Sequence, residues 1–463
     1  MLSRKPLALS IMLFLFLLAT TACIISAPGG SPSADEIATS VAATVNAKPG
    51  VATDPAVIET PGITLPPATT ELPTLPPPPT IYPLSVAFVS PDRNAYYWNE
   101  TMAAPIALTI SGDIESAIVS PDGMRIAITR TTDWVAYSLE VINSDGSGLR
   151  TILNPAGFAA LPRPAESMAS APNQLNWVPG TNKLAMTTRL LFEGPGYQTG
   201  DRLYLLDSDT STIAELLTFS TTWSWHYSYS PDGSKIAISY PDGMDIYSNT
   251  GTLIKKPVLV YPFIQTASEY AWVATPTWSA DSSQLVAVVP PEMPFADPIL
   301  NSSVYRLSAD GLIGELMFSA PMSYSFEVAS VSPDLSKVAF LTPIGLPTDN
   351  QSKLRLASID GISISDYATG TIYNLPIWST DSSKFYYRIE ESGAWVGQSG
   401  TAPIILPDFR YARNVVWVDV NRFIGASGPE GGWKLLLGTI GAPTGLIYSA
   451  PAAGERLNFS VNR

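Results

Sequence analysis

An all-β chain closed into a β-propeller of four-stranded blades is the fold class this sequence predicts, and three observations predict it. A short motif, clearest at Tyr229-Ser230-Pro231-Asp232-Gly233-Ser234-Lys235-Ile236-Ala237-Ile238, returns in degraded form along most of the chain. Its copies stand 39 to 58 residues apart, which is the period of propeller blades. Most of the intervals also contain a second hairpin signal, a strand running into another tight turn, so each interval holds four strands.

The motif reads as the end of one strand, a tight reversal and the start of the next. Ser at the first turn position can bond a nearby backbone N–H, Pro presets φ, and Gly supplies the left-handed residue of a short hairpin loop. Ile236, Ala237 and Ile238 then give the apolar run of a buried strand. Six further copies follow the same plan: Val119-Ser120-Pro121-Asp122-Gly123, Trp177-Val178-Pro179-Gly180, Trp278-Ser279-Ala280-Asp281, Val331-Ser332-Pro333-Asp334, Trp378-Ser379-Thr380-Asp381 and Trp417-Val418-Asp419. Five of the seven keep Ser-x-Asp, and six place a cation where the second strand begins. Asp122, Asp232, Asp281, Asp334 and Asp381 are therefore expected to be structural, each bonding its own turn's amides.

The second hairpin signal appears as Leu139-Glu140-Val141-Ile142-Asn143 before Asp145-Gly146, Val304-Tyr305-Arg306-Leu307 before Asp310-Gly311, and Leu354-Arg355-Leu356-Ala357 before Asp360-Gly361. Arg202-Leu203-Tyr204-Leu205-Leu206 before Asp207 is the same signal without the Gly. This succession of turns and strands, over roughly residues 84–461, resembles the WD40-like Pro-Asp repeat of the TolB-type β-propellers. The resemblance implies a fold. Such propellers act as scaffolds, as binding modules and beside enzyme domains, so it implies no single function. That family's separate N-terminal domain has no counterpart in the sequence, and no role in the Tol system is carried over.

Before the repeats, Arg4 and Lys5 precede an apolar run at 7–19, broken only by Ser10, and small residues lead to Cys23. Residues 1–22 are expected to be a secretory signal. Thr20-Thr21-Ala22-Cys23 resembles a bacterial lipobox, departing from it at Thr20, and implies that Cys23 is the lipidated first residue of the mature protein. The alternative is an uncleaved anchor, for which the apolar run is short. Cys23 is also the only cysteine, which leaves no intrachain disulfide and no multi-thiol metal site. Residues 23–83 are Pro/Thr-rich and read as a tether, whose second half can span on the order of 100 Å when extended. A capping-box pattern at Ser33-Ala34-Asp35-Glu36, with Ile37, Val41 and Val45 on one face, marks a possible short helix at 34–47.

The propeller is expected at 84–463. Val86-Ala87-Phe88-Val89, Ala95-Tyr96-Tyr97-Trp98 and Ile106-Ala107-Leu108-Thr109 are three strands ahead of the first full repeat, and Ser90-Pro91-Asp92 imitates the repeat turn too early for a whole blade. That first blade lacks a strand. Leu457-Asn458-Phe459-Ser460-Val461, at the other end, has no hairpin of its own. Pairing the two remnants closes the ring and removes an open edge, giving eight blades, with seven as the alternative.

In a four-stranded meander the first and third turns share one face, and the long segments 157–173, 191–200, 262–275, 290–302 and 342–352 belong to the other. Phe192, Tyr197, Phe263, Tyr270, Trp272, Met293 and Phe295 sit in these segments and are the candidate binding contacts, with packing under loops as the competing role. No catalytic residues, cofactor or metal site are nominated. The only histidine, His226, lies on an inner strand, and a metal site needs several partners. Asp145, Asp207 and Asp209 faintly suggest calcium loops but suit plain turns. No Gly-x-Ser-x-Gly elbow is present. The net charge of −14 disfavours nucleic acid and anionic headgroups as direct partners. The expected function is a lipid-anchored, extracytoplasmic binding or scaffolding module at the cell envelope, with an envelope protein or a glycan as partner and the membrane reached through the lipid. The alternative is an envelope enzyme, for example carbohydrate-active, with an acidic site under the long loops.

Overall fold

The structure, a computed structural model, describes residues 82–462 except 134–135, 194–196, 220–222, 267–269, 324–326, 346–349, 373, 429–431 and 452–456. The signal segment, Cys23, nearly all of the tether and the helix expected at 34–47 lie outside the described residues.

Eight antiparallel meanders form an eight-bladed β-propeller. Blade 1 combines Ser85–Val89, Ala95–Asn99 and Ile106–Ala107 with Asn458–Val461 from the far end of the chain. Blades 2 to 8 follow at 114–153, 169–218, 226–260, 277–321, 329–370, 377–405 and 412–450. The closing pairing runs Val86↔Val461, Ala87↔Ser460, Phe88↔Phe459 and Val89↔Asn458. Ser460 Oγ also accepts from Val119 N at 2.8 Å, so the last strand joins blade 1 to blade 2. The sheet edge that a four-residue strand leaves open is thereby satisfied by the other terminus.

Each blade's second strand is apolar without alternation because neighbouring blades cover both of its faces. Ile126-Ala127-Ile128, Leu184-Ala185-Met186, Ile236-Ala237-Ile238 and Leu285-Val286-Ala287 are all essentially inaccessible. The residue before the turn has a further role. Trp177, Trp278, Trp378 and Trp417 donate their indole N–H to the inner strand of the preceding blade, at Ile118 O, Ser228 Oγ, Ser330 O and Ile377 O, over 2.8–3.1 Å. The aromatic position of the repeat is thus a staple between blades.

The turns are held by one hydrogen-bond relay. In blade 4, Ser230 Oγ donates to Asp232 Oδ1 at 2.6 Å and accepts from Lys235 N at 3.0 Å, while Asp232 Oδ1 accepts from Ser234 N at 3.0 Å. The same three bonds recur around Asp122, Asp281, Asp334 and Asp381. Gly233 has φ +69°, and a Cβ there would stand 2.5 Å from Pro179 O in the neighbouring turn, so conformation and space both require glycine.

Three expectations change. Segment 191–200 is not an open loop: Tyr197–Thr199 pairs with Leu191, Leu190 and Arg189 and gives blade 3 a fifth strand. Segment 157–173 holds most of a short helix, Pro155–Ala160, capped by Asn154 Oδ1 accepting from Gly157 N, and the start of the strand Ala169–Trp177. The Ser90-Pro91-Asp92 turn joins the second and third strands of blade 1, because Asn458–Val461 fills the first position. It therefore lies on the opposite face from the other Ser-x-Asp turns.

Candidate binding clefts on the long-loop face

The meander carries the chain out of blade 3 and into blade 4 across the long-loop face, and this crossing gathers aromatic side chains. Phe219 follows the outer strand Thr212–Thr218, Trp223 and Trp225 precede the inner strand His226–Tyr229, and Phe263 follows the outer strand Leu253–Val260. Together with Tyr240 and Asp245 they line a cleft of about 440 Å³. Trp223 meets Phe263 edge to face, centroids 4.9 Å apart, and Phe219 meets Trp225 at 4.5 Å. Trp225 is fully buried and fixed by its Nε1 donating to Gly200 O at 2.9 Å. Trp223 and Phe263 stay partly open, Phe263 at 42% exposure. Phe219 and Trp223 also border an adjoining cavity of about 670 Å³ that reaches Arg163, Gln198, Asp201 and Arg202.

The floor of the first cleft is polar. Asp245 is 1% exposed and accepts from Tyr240 Oη at 2.7 Å, and its other oxygen lies 3.3 Å from Nζ of the exposed Lys256. Burial, with the Asp245 carboxylate accepting its proton, pushes the Tyr240 phenol far above its ordinary pKa, and burial raises Tyr247 as well. Both phenols stay protonated donors. A carboxylate held by a phenol and a lysine is committed to positioning, and the cleft offers an aromatic wall beside a carboxylate whose charge the lysine balances. That combination suits a neutral ligand surface.

The residues singled out from the sequence separate into three groups. Phe263 joins the cleft. Met293 and Phe295 are 63% and 70% exposed on the segment between the second and third strands of blade 5. Trp272 is buried in the core edge to face with Tyr261, at 5.2 Å, and packs rather than offering a surface. Phe192 and Tyr270 are half-buried. Tyr197 begins the added strand of blade 3, and its side chain lies outside the described residues. Phe219, Trp223, Tyr240, Asp245 and Lys256 were not singled out. The signal for them is Trp223-Ser224-Trp225-His226-Tyr227, three aromatic residues in five where the chain enters a blade's inner strand.

His226 opens the inner strand of blade 4, and crowding by protein atoms lowers its imidazole pKa although the residue is accessible. Among the described residues no group of three or more His, Cys, Asp or Glu is placed to hold a metal. Asp145 accepts from Ser147 N, Asp207 from the amides of Asp209 and Thr210, and Asp209 pairs with Arg125 at 2.7 Å, all as turn and ion-pair groups.

No protein-family model and no curated protein matches the chain. Similar solved structures include the β-propeller domain of the trilobed protease from Pyrococcus furiosus, with TM-score 0.43, 13% identity, and 73% of this chain and 98% of that one covered. An oligogalacturonate lyase from Vibrio parahaemolyticus gives 0.42 and 14%, covering 64% and 80%. TolB from Acinetobacter baumannii gives 0.31 and 18%, covering 60% and 62%. At these values the likenesses carry nothing about ligand or reaction, and the fold rests on the strand pairing itself.

Proposed function

We propose that this chain is a lipid-anchored, extracytoplasmic β-propeller that works as a binding or scaffolding module at the cell envelope, taking a glycan or an envelope protein on its long-loop face between blades 3 and 4. The observation that carries the reading is the partly open Trp223–Phe263 pair lining one cleft with the buried Asp245. An aromatic wall gives contact area at low entropic cost, and the adjoining cavity extends the surface beyond one small group. Asp245, already bonded to Tyr240 and paired with Lys256, favours binding over acid–base chemistry.

The test is a glycan array and an envelope-protein capture with the purified chain, repeated with Trp223→Ala. Loss of about tenfold in affinity, or 1.4 kcal/mol, with an unchanged melting temperature is expected. Binding that survives Trp223→Ala undiminished would move the site elsewhere. Turnover of a bound glycan would favour the enzymatic alternative.

A further inference from the structure

A separate cavity of about 600 Å³ opens on the long-loop face between blades 7 and 8. Its walls include Arg388, near the end of the second strand Lys384–Ile389, and Arg413, on the inner strand Ala412–Trp417. Glu327 and Asn374, from the connections entering blades 6 and 7, border the same space.

Among the described residues many arginines are bound to carboxylates, as Arg125 is to Asp209, Arg130 to Glu140 and Asp113, Arg189 to Glu115, Arg355 to Asp366, and Arg422 to Glu100 and Asp419. Arg163, Arg306 and Arg410 are not, but they do not share a cavity with one another, whereas Arg388 and Arg413 line the same one. Among the described residues neither Arg388 nor Arg413 has a carboxylate within 4 Å. In a chain of net charge −14, acidic residues are abundant, yet these two cations line one cavity in which Glu327 is the acidic residue of the wall and forms no ion pair with either. Arg388 is half-buried, where an uncompensated charge is costlier than at an open surface.

The backbone at this point is also irregular. Pairing with the next strand slips between Arg413 and Val416, and Asn414 has φ +52°. The other non-glycine residues at positive φ, such as Arg93, Ser282, Leu335 and Ser382, stand in turns or connections, whereas Asn414 lies inside a strand. A bulge of this kind re-aims the side chains beside it.

We propose that this cavity is a second ligand site, distinct from the cleft between blades 3 and 4, which takes a small organic oxyanion through Arg388 and Arg413. Guanidiniums match the planar oxygens of a carboxylate or phosphate, and the volume is that of a small-molecule site. Glu327 disfavours a second negative charge and favours a hydroxyl or ammonium at the ligand's other end.

Calorimetric titration of the purified full chain with L-glutamate, D-glucuronate, citrate and inorganic phosphate tests this. Binding of glucuronate, a single carboxylate with hydroxyls, in preference to glutamate and citrate, which carry further carboxylates, is expected, weakened about tenfold or more in Arg413→Ala and in Arg388→Lys, which keeps the charge but loses the fork. Phosphate binding with the same dependence on both arginines would support the site and assign it to phosphate esters. No probe binding more tightly than about 1 mM would overturn the proposal. Equal weakening by Arg355→Ala, on the rim of blade 6, would also overturn it by showing general attraction to positive charge. Arg413 is exposed, so its variant is expected to melt as the parent does.

Discussion

At the scale of single residues, the repeat is a set of side chains that answer backbone groups. Asp334 accepts from Ser332 Oγ at 2.7 Å and from Ser336 N at 3.0 Å. Burial opposes its ionisation, but the Ser332 hydroxyl and the Ser336 amide and hydroxyl outweigh it and lower the carboxyl from 3.8 to about 2. The unfolded carboxyl therefore takes up its proton first as pH falls. The turn's contribution is whole above about pH 4 and is lost as pH drops through about 2. Asp334→Ala should cost about 1 kcal/mol at pH 7, the scale of one hydrogen bond, and the gap from the parent should close near pH 2. Urea melts at the two pH values check it, and a gap that persists in acid would contradict the assignment. The tryptophan staple makes a second residue-level claim. Trp378→Phe keeps the ring's packing but leaves Ser330 O without its indole donor, so the midpoint should fall by about 1 kcal/mol with the denaturant slope unchanged.

At the scale of elements, strands are fixed by packing between blades while the long-loop face is free to vary. The segment 290–302 shows where that freedom stops. Pro290 and Ser302 are buried, and the third strand of blade 5 already begins at Asn301, whereas Met293 and Phe295 project outward. Removing residues 292–297 should leave the melting temperature within a few degrees and reduce capture of a partner that uses this face. A large drop in stability would mean the segment packs rather than recognises. The strands and turns could be read from sequence because the Ser-x-Asp relay is complete within six residues, and the closing strand because two incomplete ends have one way to satisfy each other. The sites could not be read so well. Trp272 and Phe263 are alike as loop aromatics, and only the way the loop folds back against blade 4 makes one core and the other surface. The approach of Asp245 to Lys256, and the placing of Arg388 and Arg413 on one cavity from two blades, depend on how the strands pack and on a bulge that no local pattern announces.

At the scale of the whole molecule, the ring is closed by its own two ends, and this makes the far terminus part of the first blade. Shortening the chain before Asn458 should strip blade 1 of its inner strand and expose the edge of Ser85–Val89. Aggregation or a markedly lower melting temperature is the expected result. The N-terminal end carries a different claim. Cys23 is the sole thiol and stands where the apolar run gives way to small residues, with a Pro/Thr-rich stretch between it and the first strand at Ser85. If lipid on Cys23 is what holds the protein at the envelope, attachment and folding should be separable, since the eight blades are built from strands between Ser85 and Val461. Cys23→Ser should then leave the precursor uncut and without lipid, shown by the mass of its N-terminus, while the ring melts at the parent's temperature. A variant still cut at the same place and held on the membrane as before would rule out the lipid. A variant that lost the fold as well would show that the tether and the ring are not independent.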